Sequence, residues 1–177
     1  VFGGVSMDIS VIDATKTNET TGIYYGDTAA PQTTIEFLNL ACPYCKKWFE
    51  ESFLTLDSFV QEGKVNRLIK LFDKEKESLQ RGNVMHHHIT ANDGKKALAE
   101  IKQIFEMQDQ WKELSLEGVA QYATQELGLT YQPDMEVAKA IIDEANAAHI
   151  QFVPTIILDQ TIFDESITLD ELTSLIN

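Results

Sequence analysis

Two cysteines occur in the chain, Cys42 and Cys45, with only Pro43 and Tyr44 between them. Thiols at that spacing serve as a staple, as half of a metal site, or as a reversible dithiol. Bridging Cys42 to Cys45 closes a tiny loop and removes little unfolded-chain entropy, so stapling is a weak motive. A closed zinc site takes four ligands, and no further cysteine exists to complete one. Disulfide exchange is the chemistry that remains. It runs through a thiolate, whereas a free thiol with a pKa of about 8.5 is mostly protonated at neutral pH.

The elements around the pair supply the missing activation. Pro43 suits the first turn of a helix, where its absent N–H would have had no partner. Cys42 then stands at the helix start, where unpaired amides and the helix dipole stabilise a thiolate. It is the expected nucleophile, with a pKa below that of a free thiol. Cys45, about one turn deeper, is the expected resolving thiol. Residues 33–40 are β-branched and apolar with little alternation, as in a strand buried on both faces. Trp48, Phe49, Phe53, Leu56 and Val60 follow at helical spacing, Gly63 stops the helix, and residues 65–72 read as the next strand. The cysteines therefore sit where the first strand of a βαβ unit turns into its helix. One residue breaks that first strand's apolar run: Glu36, a carboxylate that burial makes costly without a partner.

Residues 74–150 read as helices. Leu98, Ile101, Ile104 and Phe105 share one face, as do Leu116, Val119, Ala120, Ala123 and Leu127, with Gly128 placed to end that helix. A third run with Val137, Ala138, Ile141, Ile142 and Ala145 follows the start signal Pro133-Asp134. Residues 152–163 return to strand, turn and strand, and Thr168 is positioned to cap a last helix. The expected organisation is a β-α-β part over residues 7–73, an inserted all-helical domain over 74–150, and a second α/β part over 151–177.

The strand Ile35-Glu36-Phe37 leading into Cys42-Pro43-Tyr44-Cys45, the helical insertion, and Val153-Pro154-Thr155 late in the chain together resemble the DsbA family of the thioredoxin superfamily. The likeness runs from about residue 30 onward. It implies a thioredoxin fold with an inserted helical domain and a protein thiol–disulfide oxidoreductase activity. It further implies that Pro154 is a cis-proline facing the cysteine pair, with Pro43, Tyr44 and Val153 also contacting substrate. Val153 would present its backbone to a substrate segment in the manner of an added strand. Glu36 precedes Cys42 by six positions and matches the buried acid of such proteins, and Lys70 matches the lysine that accompanies it. The role implied for Glu36 is help in deprotonating Cys45. Tyr44 is a departure: oxidising members carry His there, and Cys-Pro-Tyr-Cys is the glutaredoxin sequence. A His cation would favour the thiolate-bearing reduced form, and Tyr44 supplies none, which leaves the direction of exchange open. Lys46 and Lys47 are candidates for partial compensation.

Other readings compete. One is a glutathione-linked oxidoreductase or transferase, and another is a non-catalytic DsbA-like adaptor. The expected partners are substrate proteins with thiols or disulfides and a redox partner, glutathione among the candidates. No metal or organic cofactor is called for, and a monomer is expected. A net charge of −14 without a basic cluster argues against nucleic acid and anionic membranes. No apolar run reaches the roughly 18 residues of a membrane span. Residues 1–6 lack the pattern of a secretory signal. Met7 is read as the natural initiator, and the cytoplasm is the expected compartment unless a removed signal or anchor says otherwise. His86, His87 and His88 are consecutive, so neighbouring side chains are expected to diverge and cannot all point into one site. Asp164 and Glu165 are read as part of a solvated face, and Trp48 and Phe49 as core.

Overall fold

The computed structural model describes residues 9–177. The first six residues and Met7, read above for a leader and an initiator, lie outside the described residues. Among the described residues a single sheet is formed by β1 (Ile23–Tyr25), β2 (Gln32–Leu38), β3 (Val65–Leu71), β4 (Thr155–Leu158) and β5 (Thr161–Phe163), in the order β1-β3-β2-β4-β5. β2 and β3 pair in parallel and the other neighbours pair antiparallel. A parallel pair needs a crossover, and α1 (Pro43–Gln61) provides it. Gly63 ends that crossover at φ +73°, a left-handed conformation that a residue without Cβ adopts freely.

Both faces of the central strands are covered, which explains their lack of alternation. Leu38, Ile69, Ile156 and Leu158 pack with Trp48, Phe49 and Leu56 of α1. The side chains at alternate positions, Ile35, Phe37 and Ile157, point the other way and meet Phe72, Ile141 and Ala145.

Between β3 and β4 lie α2 (Gln80–His86), α3 (Gly94–Glu106), α4 (Gln108–Trp111), α5 (Leu116–Gln121) and α6 (Met135–Ala147). The stripe Leu98, Ile101, Ile104 and Phe105 of α3 is buried, and Phe105 meets Phe49 of α1 with ring centroids 5.3 Å apart. α2, seven residues with few apolar positions, has no counterpart in the sequence reading. The helix expected to run to Gly128 instead changes from α to a π-helical turn over Tyr122–Glu126 before Gly128 (φ +68°) ends it. α6 starts on Asp134, whose carboxylate accepts from the Val137 amide, and it covers the sheet's second face rather than joining the other helices. α7 (Leu169–Leu175) begins with a capping box in which Thr168 and Glu171 each bond the other's backbone amide. No helix among the described residues is long and apolar enough to cross a membrane.

Candidate active site

Cys42 is the N-cap of α1 and Pro43 its first residue, so the dithiol stands at the C-terminal end of β2, where strand gives way to helix. Cys42 and Cys45 are free thiols in this structure. Pro43 and Tyr44 are exposed, Tyr44 at 57%, and mark the accessible rim of the site. The Val153–Pro154 peptide bond is cis. The Cys42 thiol lies 3.6 Å from the Val153 carbonyl, to which it donates, so the segment before β4 borders the nucleophile.

The two sulfurs are electrostatically unlike. The Cys42 pKa is lowered from 9.0 to about 7. The largest cause is its hydrogen bond with the Cys45 thiol, followed among the favourable effects by the amides of Cys45 and Tyr44 at the start of α1, and together these outweigh burial. The helix start therefore contributes as expected, but the partner thiol contributes more. Cys45 is pushed well above 9.0, first by complete burial and then by its place as donor to Cys42. The Asn39 amide, 3.4 Å from Cys45 Sγ, works in the opposite direction. Lys47 bonds the Glu51 carboxylate and the Glu165 carbonyl.

Glu36 is wholly buried, and its partner is Arg67, not Lys70. Arg67 Nε donates to Glu36 Oε2 and Nη2 to Oε1, both at 2.8 Å. Trp48 Nε1 donates to Oε1 at 2.8 Å and the Thr34 hydroxyl to Oε2 at 2.8 Å. A carboxylate offers about four acceptor positions, and each oxygen here already accepts two bonds. Taking up a proton would displace one of these partners, which weighs against the implied role as base for Cys45. The reason that Lys70 cannot serve is register. β2 and β3 pair Glu36 with Ile69 and Phe37 with Lys70, so Lys70 points to the opposite face. There it bonds Glu144 of α6 at 2.7 Å and Asn18 at 3.0 Å.

Several residues that the sequence reading missed or set aside hold the loop before Cys42. The Asn39 side chain accepts from the Ala41 amide and donates to the Phe72 carbonyl. Gln108, at the start of α4, donates to the carbonyls of Leu40 and Cys42. His86 Nε2 accepts from the Leu40 amide at 3.1 Å. The three histidines do not all point into one site, as expected, but the neighbours His86 and His87 converge rather than diverge, with His86 Nδ1 and His87 Nε2 both reaching Asp73, at 2.7 and 2.9 Å. His86 closes α2 and His87 is its C-cap, so regular helical spacing no longer governs the pair. His88 turns away to the Val84 carbonyl. Among the described residues no group of three His, Cys, Asp or Glu side chains is arranged to hold a metal. Asp164 and Glu165 are not a solvated face either. Asp164 is buried and bonds the amide and hydroxyl of Ser166. The Glu165 charge raises the pKa of both cysteines, and its own is raised chiefly by burial. Only the site as folded could disclose these residues, since none lies within a motif.

Residues 17–177 match the family model described as Thioredoxin. The chain belongs to that thioredoxin family. A search of curated proteins returns no match. Among solved structures, a conserved protein of unknown function from Enterococcus faecalis V583 is 58% identical with a TM-score of 0.95, over 96% of this chain and 97% of that one. Oxidised BdbD from Bacillus subtilis is 16% identical with a TM-score of 0.62, covering 87% and 94%. A periplasmic thioredoxin-like protein from Salmonella enterica serovar Typhimurium is 20% identical with a TM-score of 0.65, covering 97% and 96%. The last two show a shared fold, a thioredoxin-like α/β sheet with the helical segment between its halves.

Proposed function

We propose that this protein is a thiol–disulfide oxidoreductase acting on protein substrates, with Cys42 as nucleophile and Cys45 as resolving thiol. The observation that carries the reading is the split between the two sulfurs, one drawn down to about 7 beside an exposed rim and the other buried and pushed up. At neutral pH a large share of Cys42 is then thiolate, while Cys45 keeps its proton.

In the reducing direction the Cys42 thiolate attacks one sulfur of a substrate disulfide. A Cys42–substrate bond forms, the substrate S–S bond breaks, and the other substrate sulfur leaves as thiolate. Cys45 then loses its proton to water and attacks Cys42 Sγ. The Cys42–Cys45 bond forms, the second substrate thiolate leaves, and the substrate has gained two electrons. The oxidising direction is the reverse, with Cys45 as the leaving thiolate. The Val153 backbone beside Cys42 is suited to align an extended substrate segment, as an added strand would be aligned. Oxidised BdbD from Bacillus subtilis shares this fold, which fits a dithiol that cycles.

Alkylation of Cys42 against pH tests the first step, and its midpoint is expected near 7. A midpoint at the free-thiol value removes the basis of the reading. Cys42→Ser should abolish exchange with a model protein disulfide, and Cys45→Ser should accumulate a mixed disulfide visible by mass spectrometry. Undiminished turnover by Cys45→Ser with glutathione would favour a one-thiol, glutathione-linked enzyme instead.

A further inference from the structure

The stretch from Asn39 to Cys42 joins β2 to α1 inside the molecule, so its backbone groups cannot rely on solvent. Each of its amides has a partner. Asn39 N–H points at Cys45 Sγ, Leu40 N–H at His86, Ala41 N–H at the Asn39 side chain, and Cys42 N–H at the Asn39 carbonyl. Three of these four partners belong to the strand–turn–helix unit itself. His86 alone reaches in from another element, α2.

His86 can accept from Leu40 only if Nε2 carries no hydrogen. Its other nitrogen, Nδ1, then carries the proton and donates to Asp73 Oδ1 at 2.7 Å. Asp73 is anchored in turn by His87 at 2.9 Å. Burial pushes the Asp73 carboxyl up, but the hydrogen bonds from both histidines outweigh it and hold it below the usual carboxylate range. Burial also draws the His86 pKa down, which favours the neutral ring that this contact needs. The chain Asp73–His86–Leu40 thus fixes one tautomer and one ring orientation, as outer partners do for reactive histidines elsewhere.

We propose that His86, oriented by Asp73, is a positioning residue for the dithiol. It holds the Leu40 amide and, through the adjoining peptide, aims the Asn39 amide at Cys45 Sγ. That amide donates to the sulfur that must become a thiolate when the mixed disulfide is resolved, so its aim governs the resolving step. The proposal rests on the exchange reading for its purpose, and the geometry stands apart from it.

The test splits the two ends of the imidazole in the full-length chain. His86→Gln places an amide oxygen about where Nε2 lies and keeps an acceptor for Leu40. His86→Asn reaches only as far as Nδ1, keeps the Asp73 contact and loses Leu40. A mixed disulfide between Cys42 and a coloured aromatic thiol is made chemically, and release of the thiol by Cys45 is timed. His86→Asn should release the thiol about tenfold more slowly, the order expected when one hydrogen bond is lost, and His86→Gln within about threefold of the parent. Imidazole nitrogen shifts of the unaltered protein should report His86 with its proton on Nδ1.

Unchanged release by a folded His86→Asn overturns the proposal, as does equal slowing in both variants with matching losses of melting temperature. A proton found on Nε2 in the unaltered protein overturns it without any variant. Release of an aromatic thiol does not require turnover of a protein substrate. Failure to turn over a protein disulfide, with release normal, would therefore count against the proposed function alone.

Discussion

Among the described residues the sheet carries one buried ion pair on each face, and they are built differently. On the α1 face, Glu36 and Arg67 make two parallel bonds, and Trp48 and Thr34 complete the carboxylate. The guanidinium also lies over the Phe49 ring, 5.2 Å from its centroid. On the other face, Lys70 meets Glu144 through one ammonium, shared with Asn18, and Glu144 also accepts from the Asn18 amide. The first pair joins β2, β3 and the redox helix. The second ties α6 and the segment before β1 to the sheet. A planar fork suits a closed site in which both oxygens of the carboxylate are filled, although Arg67 Nη1 is itself buried without a hydrogen bond, whereas a flexible ammonium suits a joint between elements. The difference teaches that only the first pair is built into the framework of the dithiol.

The largest effect should come from breaking that first pair. Arg67→Met leaves Glu36 buried with its cation gone, a change that typically costs about 3–5 kcal/mol. Urea unfolding should show a loss of that order. The double variant Glu36→Leu with Arg67→Met removes both charges and should recover most of it, since well-packed apolar replacement of a buried pair is often neutral. Equal losses in single and double variants would mean that the pair is not the source of the stability.

A smaller loss is expected on the second face. Glu144→Gln keeps one acceptor oxygen for either Lys70 or the Asn18 amide, turns an NH2 toward the other donor and removes the charge, so about 1–3 kcal/mol should go. Because Glu144 and Lys70 lie across the sheet from the dithiol, the pH midpoint of Cys42 alkylation should not move. A shift of that midpoint by Glu144→Gln would erase the contrast between the two faces.

How far the sequence reading reached follows from what each part of the site depends on. Cys42 and Cys45, Pro43 at the first turn and the strand–helix–strand order depend on neighbours in the chain, and local pattern discloses them. So do the capping residues Asp134 and Thr168. The partner of Glu36 depends on the register between β2 and β3, which no local pattern states. A shift of one position exchanges the two faces, and Arg67 and Lys70 are three apart, so both look equally available in the sequence. His86, Gln108 and Asp73 depend on where short helices end and how they dock. His86 appeared only as part of a run of three, and the feature that matters, a bare Nε2 against Leu40, has no sequence signature. Glu165 looked like one more surface acid because its burial arises from the turn after β5 packing near the cysteines.

The smallest expected effect is also the sharpest test of the comparison, because it concerns an interaction that should be missing. Glu36 and Lys70 are close in register, and a reading from sequence couples them directly. In the structure they share no partner, and their side chains leave the sheet on opposite sides. Sites without shared partners add to within about 0.5 kcal/mol. A double-mutant cycle with Glu36→Gln and Lys70→Met should therefore give a coupling no larger than that. The same cycle with Glu36→Gln and Arg67→Met should give a plainly larger one, because each residue supplies the other's hydrogen bonds. If the Lys70 cycle matched the Arg67 cycle, the acid beside the dithiol would draw on both cations, and the two faces would form one electrostatic unit rather than two.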